Sequence, residues 1–137
     1  MKIILDEGAY KPTRAHLTDA GLDIYSPIKI TIKGKDSASI DTGLHIELPK
    51  NTVGLLKSKS GLNVNHGLTS EGVIDVGYTG SIVVKLYNHS IKPYTIQKGD
   101  KISQLVIVPI ITPVIEVVDK FEQQTDRGDN GFGSSGR

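Results

Sequence analysis

The sequence predicts an all-β protein, because its apolar residues recur with the spacing of strands and turn-forming residues separate the runs. In residues 28–33, Ile28, Ile30 and Ile32 alternate with polar residues, as in a strand with one buried face. Residues 81–88 and 102–107 add further strand-like runs, and Gly, Pro, Asn and Asp lie between such runs. Only 5% of the residues are aromatic, so we expect a core of Ile, Val and Leu.

The predicted elements are short and follow one another closely. We expect an edge strand at 2–5, two strands separated by a polar turn within 28–48, a strand at 95–96 and a last strand at 114–118. Residues 57–62, KSKSGL, are expected to form a loop. The segment 72–80, GVIDVGYTG, predicts a β-hairpin that turns at Gly77 and again at Gly80.

Composition excludes several classes of function. A chain of 137 residues is long enough for one domain with its own core, and the absence of Cys excludes disulfides, thiolate metal sites and thiol catalysis. The net charge of +1 argues against bulk electrostatic capture of nucleic acid or of an anionic membrane. No apolar run approaches the roughly 20 residues that span a bilayer. We therefore expect a soluble cytoplasmic protein that binds neither nucleic acid nor membrane.

Two stretches carry side chains suited to a small phosphorylated ligand. Within 72–80, Asp75 can orient a water molecule and Tyr78 can pack against a sugar or a base, although an Asx-turn and a ring covering the sheet would explain the same residues. Within 57–62, two lysines, two serines and a glycine offer ammonium groups, hydroxyls and a free backbone N–H, which are the donors that a phosphate chain needs. A solvated surface loop is the alternative interpretation.

Three further features leave alternatives open. Asp23 follows the strand pattern and is either a surface acid or a functional one. Gln104 lies among apolar neighbours, and a buried amide needs a partner from the sheet or from a ligand. In the Gly/Ser-rich tail, Arg127 offers a guanidinium for phosphate and Phe132 a ring for stacking, so the tail either closes over a nucleotide or stays disordered.

Five stretches, AGLDIYS, KSGL, GVIDVGYTG, GDKISQL and RGDNGFGSSG, lie in this order between residues 20 and 136. In sequence and order they resemble the five motifs of the homotrimeric deoxyuridine triphosphatase (dUTPase) family. The resemblance implies a jelly-roll-like β-barrel of the β-clip kind over 1–121, the catalytic domain, and a flexible Gly/Ser-rich C-terminal arm over 122–137 that closes over the active site. It also implies a homotrimer with shared active sites and Mg²⁺ as the cofactor.

The resemblance further implies hydrolysis of dUTP to dUMP and pyrophosphate, which lowers dUTP and supplies dUMP for thymidylate synthesis. Asp75 is then the base that activates water for in-line attack on the α-phosphorus, Gln104 lies near the phosphates and the water, and Tyr78 lies beneath the deoxyribose. The other expected substrate-binding residues are Lys59, Ser60 and Gly61 for phosphate, Val73, Ile74 and Val83 for the uracil edge, and Arg127, Phe132, Gly133, Ser134 and Ser135 in the arm. No protein side chain is expected to bind Mg²⁺ directly, and Asp23 would support the metal through a water molecule.

Three residues depart from the family pattern. Lys59 stands where Arg is usual, Gly77 where an acid is common, which is expected to loosen the turn, and Asn130 where Gly is usual. Two other functions stay open: a dCTP deaminase-like nucleotide enzyme, for which Glu71 is the nearby acid, and a trimeric protein-binding regulator with added or residual dUTPase activity. Asp75 together with Tyr78 fits the hydrolase better than the deaminase.

Overall fold

A computed structural model describes residues 1–122, 125–126 and 128–129 of the chain. Within this part the chain folds into short β-strands and a single short helix, which confirms the predicted all-β class. The elements in chain order are β1 Lys2–Leu5, β2 Gly21–Tyr25, β3 Ile30–Ile32, β4 Ser37–Asp41, β5 Leu44–Glu47, β6 Thr52–Lys57, α1 Ser60–His66, β7 Leu68–Ile74, β8 Val83–Asn88, β9 Tyr94–Ile96 and β10 Lys101–Pro109.

The main sheet has six strands in the order β2-β10-β6-β7-β8-β4, and every pairing within it is antiparallel. It curls into a half-barrel, which agrees with the expected jelly-roll-like architecture. Two smaller antiparallel sheets, β1-β5 and β3-β9, accompany it. β10 is the longest strand and lies between β2 and β6, so it brings segments from distant parts of the sequence side by side.

The core is aliphatic, as the low aromatic content predicts. Strand β8 alternates exposed and buried residues along its whole length, because successive side chains of a strand point to opposite faces. The buried apolar residues are Leu22, Ile24, Ile32, Ile40, Leu44, Ile46, Leu48, Leu56, Leu68, Ile74, Ile82, Val84, Leu86, Ile96, Ile102 and Leu105.

Two predicted elements are wrong. The loop expected over 57–62 gives way to α1, which begins at Ser60 and ends before Gly67, whose positive φ of 68° closes the helix in the left-handed conformation. No strand forms over 114–118, although four of the five residues, VIEVV, are β-branched. Val114 is 96% and Val117 94% exposed, because a strand needs a hydrogen-bonded partner and this segment finds none in the described part of its own chain.

The predicted hairpin around 72–80 is confirmed, but its two strands pair over only part of their length. β7 pairs with β8 from Leu68 opposite Asn88 to Ser70 opposite Leu86. Beyond this point β7 pairs with β6 and β8 pairs with β4. At the end that carries the 75–80 turn, the two strands of the hairpin are therefore not hydrogen-bonded to each other.

Membrane insertion through a helix has no support in the described residues, since none of them forms a helix long and apolar enough to cross a bilayer.

Truncation of the central strand is expected to destabilise the fold. Leu105 in β10 is fully buried, so Leu105→Ala should lower the free energy of unfolding by about 2–5 kcal/mol through lost burial and the cavity left behind. Urea denaturation followed by circular dichroism at fixed protein concentration measures this loss. The control is Leu17→Ala, because Leu17 is fully exposed and its truncation should change stability by less than about 0.5 kcal/mol. Equal losses in both variants would contradict this description of the core.

Candidate active site

Asp23 is the buried centre of a charge cluster that also contains the partly exposed Lys59 and the exposed Lys101, here called the Asp23 cluster. The carboxylate is only 5% exposed, and its two oxygens have separate partners. Lys59 Nζ lies 2.5 Å from Oδ1, and Lys101 Nζ lies 2.8 Å from Oδ2. Two ammonium groups and one carboxylate leave a net positive charge, which suits an anionic ligand such as phosphate.

Ionisation of Asp23 follows from these contacts. Burial by itself raises the pKa of the Asp23 carboxyl, but the hydrogen bonds and charges of Lys101 and Lys59 outweigh it and hold this pKa below its usual range. In return, the hydrogen bond and charge of Asp23 raise the pKa of Lys101. Asp23 is therefore a carboxylate at neutral pH and fixes the position of both lysines.

Gln104 lies next to this cluster because β10 pairs with β2 and places Gln104 opposite Asp23. Its Nε2 donates a hydrogen bond of 3.0 Å to the carbonyl oxygen of Ser58. A Cβ added at Gly21 would approach Gln104 Oε1 to 2.5 Å, so only glycine leaves room for this amide. The expected partner of the Gln104 amide nitrogen is thus the carbonyl oxygen of Ser58, directly after β6, and the amide oxygen faces the backbone of β2.

The phosphate-binding candidates Lys59, Ser60 and Gly61 lie at the start of α1. Lys59 is the N-cap residue, and its carbonyl oxygen accepts a hydrogen bond from the N–H of Asn63. Ser60 and Gly61 are exposed in the first turn, and an added Cβ at Gly61 would meet nothing within 4 Å. The first backbone N–H groups of a helix have no acceptor within that helix, so donors face the open space beside Lys59.

The other predicted catalytic residue, Asp75, begins the 75–80 turn and is exposed. The N–H of Tyr78 donates to the carbonyl oxygen of Asp75 over 3.1 Å, which closes the turn. Gly77 has a φ of 94°, a conformation that glycine adopts readily, and the expectation that Gly77 loosens the turn stays a prediction. The Tyr78 ring is 47% exposed, and its hydroxyl donates to the carbonyl oxygen of Ser81 over 2.9 Å.

The open end of the hairpin contains the residues expected at the uracil edge. Continuing the register of Ser70 and Leu86 along both strands brings Val73 opposite Val83. Both side chains are exposed, at 64% and 47%, whereas Ile74 points into the core. Because β7 and β8 do not pair with each other at this end, their facing backbone edges are available to a flat ligand.

One chain does not bring the two halves of the predicted site together. Gln104 is paired with Lys57 in β6, and Lys57 is paired with Glu71 in β7. Asp75 is four residues further along the chain, roughly 13 Å at the rise of a strand, and two interstrand steps separate it from β10. The distance from Gln104 to Asp75 is thus on the order of 15 Å, too long for one phosphate group to contact both.

Several residues of the site region escaped sequence reasoning. No local pattern in the sequence indicates a role for Lys101, since only the pairing of β10 with β2 brings it to Asp23. A buried serine network also holds β6, β7 and β10 together: Ser70 Oγ lies 2.8 Å from Ser103 Oγ, and Ser103 Oγ donates to the carbonyl oxygen of Lys57 over 3.0 Å. Ser103 directly precedes Gln104 in the sequence, but its hydrogen-bond partners lie in β6 and β7, far away along the chain.

The predicted residues of the arm lie outside the described residues. They are Arg127, Phe132, Gly133, Ser134 and Ser135, together with Asn130, and their roles stay predictions, as does the division of the chain at 121/122.

The fold and the site together define a class of protein. It is an all-β protein with a cationic cluster suited to an anion and, on a separate turn, an exposed acid beside a flat ring. The dUTPase family matches residues 8–136. The deoxyuridine 5'-triphosphate nucleotidohydrolase of Clostridium novyi (strain NT) is 40% identical over 142 residues, which cover 99% of this chain and 99% of that protein.

Solved structures agree with the sequence match. The dUTPase of Staphylococcus bacteriophage 80alpha with dUPNHPP superposes with a TM-score of 0.94 at 34% identity, over 99% of this chain and 98% of the phage chain. A mutant dUTPase from phage phi11 of S. aureus, whose structure concerns the coordination of a structural Mg(II) ion, has a TM-score of 0.84 at 33% identity, over 89% and 98% of the two chains. The chain belongs to the dUTPase family.

Removal of the central carboxylate is expected to destabilise the protein at neutral pH. Asp23→Asn removes the negative charge and one of the two acceptor oxygens from between two ammonium groups, and should lower the free energy of unfolding by about 1–3 kcal/mol. Because the folded-state pKa of Asp23 is depressed, this contribution is complete above the carboxyl's unfolded pKa and is lost as the pH falls through the lower folded pKa. Urea denaturation at a series of pH values measures it.

The matched control is Glu71→Gln, which removes the acid of the exposed Lys57–Glu71 pair, where N and O are 2.7 Å apart. An exposed pair contributes little, so this variant should unfold like the wild type at neutral pH. A loss for Asp23→Asn that persists unchanged at acidic pH would show that the carboxylate charge is not its source.

Proposed function

We propose that this protein hydrolyses dUTP to dUMP and pyrophosphate at a site shared between three identical chains. The observation that carries the proposal is the family match over residues 8–136 together with the exposed acid and ring of the 75–80 turn. The Asp23 cluster supplies the complementary half of the site, a positive charge for the triphosphate.

The nucleoside would bind at the open end of the β7–β8 hairpin. There the backbone edges near Val73 and Val83 are free to hydrogen-bond the edge of uracil, and the exposed ring of Tyr78 offers a flat surface for the deoxyribose. Backbone groups on a rigid hairpin exclude a thymine methyl group or a ribose 2′-hydroxyl by steric clash, which gives specificity without extra charged contacts.

The triphosphate would bind at Lys59, Ser60 and Gly61. Asp23 holds Lys59 in place, so the ammonium group is positioned before the substrate arrives. In the arm, Arg127 is proposed to pair with the terminal phosphate, Phe132 to stack on uracil, and the 133–135 backbone and hydroxyls to enclose the phosphates.

Mg²⁺ would bind mainly to oxygen atoms of the triphosphate and to water, as this ion commonly does in phosphoryl transfer. The described residues contain no group of three or more His, Asp or Glu side chains placed to hold a metal ion. Asp23 stays the candidate that supports the ion through a water molecule, although both of its oxygens are paired with lysines, so one pair has to open. When bound, the ion neutralises charge on the triphosphate.

Asp75 is the proposed general base. It accepts a proton from water as the water oxygen forms a bond to the α-phosphorus and the bond from that phosphorus to the bridging oxygen breaks, which releases pyrophosphate. Gln104 is proposed to orient the water and the phosphates. Catalysis then consists of positioning and charge neutralisation, which the lysines and backbone donors provide.

The geometry of a single chain supports the proposal of a homotrimer with shared sites. Asp75 and Gln104 are on the order of 15 Å apart, so a complete site needs Asp75 from one chain and the Asp23 cluster with Gln104 from another. A second observation favours association: the apolar side chains of 111–121 are exposed, Ile111 at 90% and Phe121 at 87%, and a neighbouring chain would cover them.

The alternative functions gain no support from the described residues. Glu71, the acid that a deaminase would need, is exposed and pairs with Lys57 away from the 75–80 turn. A role as a protein-binding regulator is compatible with dUTP hydrolysis and has no feature of its own in the structure.

Loss of the base is expected to abolish most of the activity without affecting the fold. Asp75→Asn should lower kcat for pyrophosphate release from dUTP with Mg²⁺ by about 10²–10⁴-fold, the usual contribution of a general base. Glu7→Gln, a neutralised exposed acid away from the turn, should retain wild-type activity. The wild type should cleave dUTP and leave dTTP, dCTP and UTP intact. Release of ammonia from dCTP would instead identify a deaminase.

Mixed trimers provide the test of a shared site. Asp75→Asn and Gln104→Ala chains should each be nearly inactive, but a mixed trimer contains one site that takes Asp75 from one variant and Gln104 from the other. Random 1:1 refolding should therefore recover about one quarter of the wild-type activity. Mixing Asp75→Asn with Tyr78→Ala should recover nothing, because both residues come from the same chain at every site. No recovery in the first mixture would place the whole site on one chain.

A further inference from the structure

His45 connects the 75–80 turn to the rest of the fold. It lies in β5 between Leu44 and Ile46, which point into the core, so its own side chain points to the opposite face. Its Nδ1 lies 2.8 Å from the carbonyl oxygen of Thr79, and its Nε2 lies 3.3 Å from Asp6 Oδ2. The imidazole thus bridges the turn and the segment after β1.

The turn has few other attachments. Its ends are fixed, because Ile74 belongs to β7 and the N–H of Ile82 donates to the carbonyl oxygen of Leu44 over 2.8 Å. Between these ends, in the part of the chain that the structure describes, two hydrogen bonds join the segment to other strands. His45 binds the carbonyl oxygen of Thr79, and the hydroxyl of Ser81, directly after the turn, donates to the Asp41 carboxylate. Of these two bonds, the one from His45 reaches residues 75–80 themselves. On the side of Gly77 and Thr79 the turn borders a depression of about 560 Å³ rather than the core.

The hydrogen bonds specify the protons on the ring. A carbonyl oxygen only accepts, so Nδ1 carries a proton toward Thr79, and an ionised carboxylate only accepts, so the bond to Asp6 requires a proton on Nε2 as well. Both bonds exist together only in the imidazolium form. Deprotonation at Nε2 removes the bond to Asp6 and leaves the ring held by Thr79 alone.

The charges around His45 favour the imidazolium. The hydrogen bond to Thr79, the contact with Asp6 and the charge of Asp41 raise the pKa of His45 above its usual value, against a small opposing effect of burial. Lys2 on β1 and Glu47 on β5 also border the depression and pair with each other at 3.2 Å, and Asp75 is the charged residue of the turn itself. The bridge is therefore complete below the usual His pKa and is lost as the pH rises through the raised one.

We propose that His45 is a positioning residue for substrate binding, which holds the 75–80 turn in place through Thr79 and is itself held by Asp6. Tyr78, the ring proposed to contact the deoxyribose, directly precedes Thr79. A shift of the Thr79 carbonyl therefore moves the surface on which the nucleoside binds. The inference rests on the proposed function, because it assigns His45 a role toward dUTP.

The test combines steady-state kinetics with NMR on the full-length protein. His45→Ala should raise KM for dUTP by about 3–10-fold, the effect of one lost hydrogen bond, with a smaller change in kcat. In the wild type, KM should rise between pH 6.5 and 9 through the pKa of His45 measured by NMR. His45→Gln keeps a donor for Thr79 but does not titrate, so its KM should lack this rise, and the comparison cancels the ionisation of dUTP itself.

Asp6→Asn is the second variant, and it remains informative if His45→Ala does not fold. Removal of the Asp6 charge should lower the pKa of His45 and move the inflection of KM to lower pH by the same amount. The inference is overturned if the KM profiles of wild type and His45→Gln coincide, or if Asp6→Asn moves the NMR pKa and leaves KM unchanged. A wild type that does not cleave dUTP at any pH would overturn the proposed function instead, and the amide signals of Thr79 and Gly80 would still report whether His45 titration moves the turn.

Discussion

The pairing of β10 with its two neighbours is the constraint on which the rest of the structure depends. β10 places Gln104 between Asp23 of β2 and Lys57 of β6. In the sequence, Gln104 lies 81 residues after Asp23 and 47 residues after Lys57. A slip of one residue in this register would turn Gln104 into the core and Leu105 out to solvent. The buried serine network between β6, β7 and β10 adds hydrogen bonds that form in this register.

A buried carboxylate needs partners, and here the partners are two lysines, one of which is proposed to bind phosphate. Asp23 is nearly inaccessible, and an unpaired charge at such a position is strongly unfavourable. Lys59 and Lys101 satisfy it and in doing so lose the freedom that lysine side chains have at a surface. The same contacts that stabilise the folded chain therefore hold a net positive charge in place, where the proposed function puts the triphosphate. This arrangement also suits Lys59 in place of the usual Arg, since a single ammonium group is enough to meet one oxygen of Asp23.

The 75–80 turn differs from the Asp23 cluster because most of its residues are exposed. It lies beyond the paired part of the hairpin and rests on a depression instead of the core. Gly77 closes the turn, and His45 is the side chain that ties it to β5. An exposed acid and ring on such a turn are accessible to a ligand, but they are far from Gln104 in the same chain. Under the proposed function, Asp75 and Gln104 of one chain therefore belong to different sites, and association of chains completes each site.

The sequence by itself determined the all-β class, the aliphatic core, the hairpin at 72–80 and the five motifs that carry the family resemblance, because alternation, turn residues and motif order are local properties of the chain. It was misleading at 114–118, because a strand needs a partner strand, and at α1, where a short helix forms with Leu62 packed against the core. Only the tertiary structure decided that Lys101 meets Asp23, that Gln104 binds Ser58, that His45 reaches Thr79 and that Asp75 lies apart from Gln104. These contacts join residues that are distant in sequence, and strand register, which no local pattern encodes, brings them together.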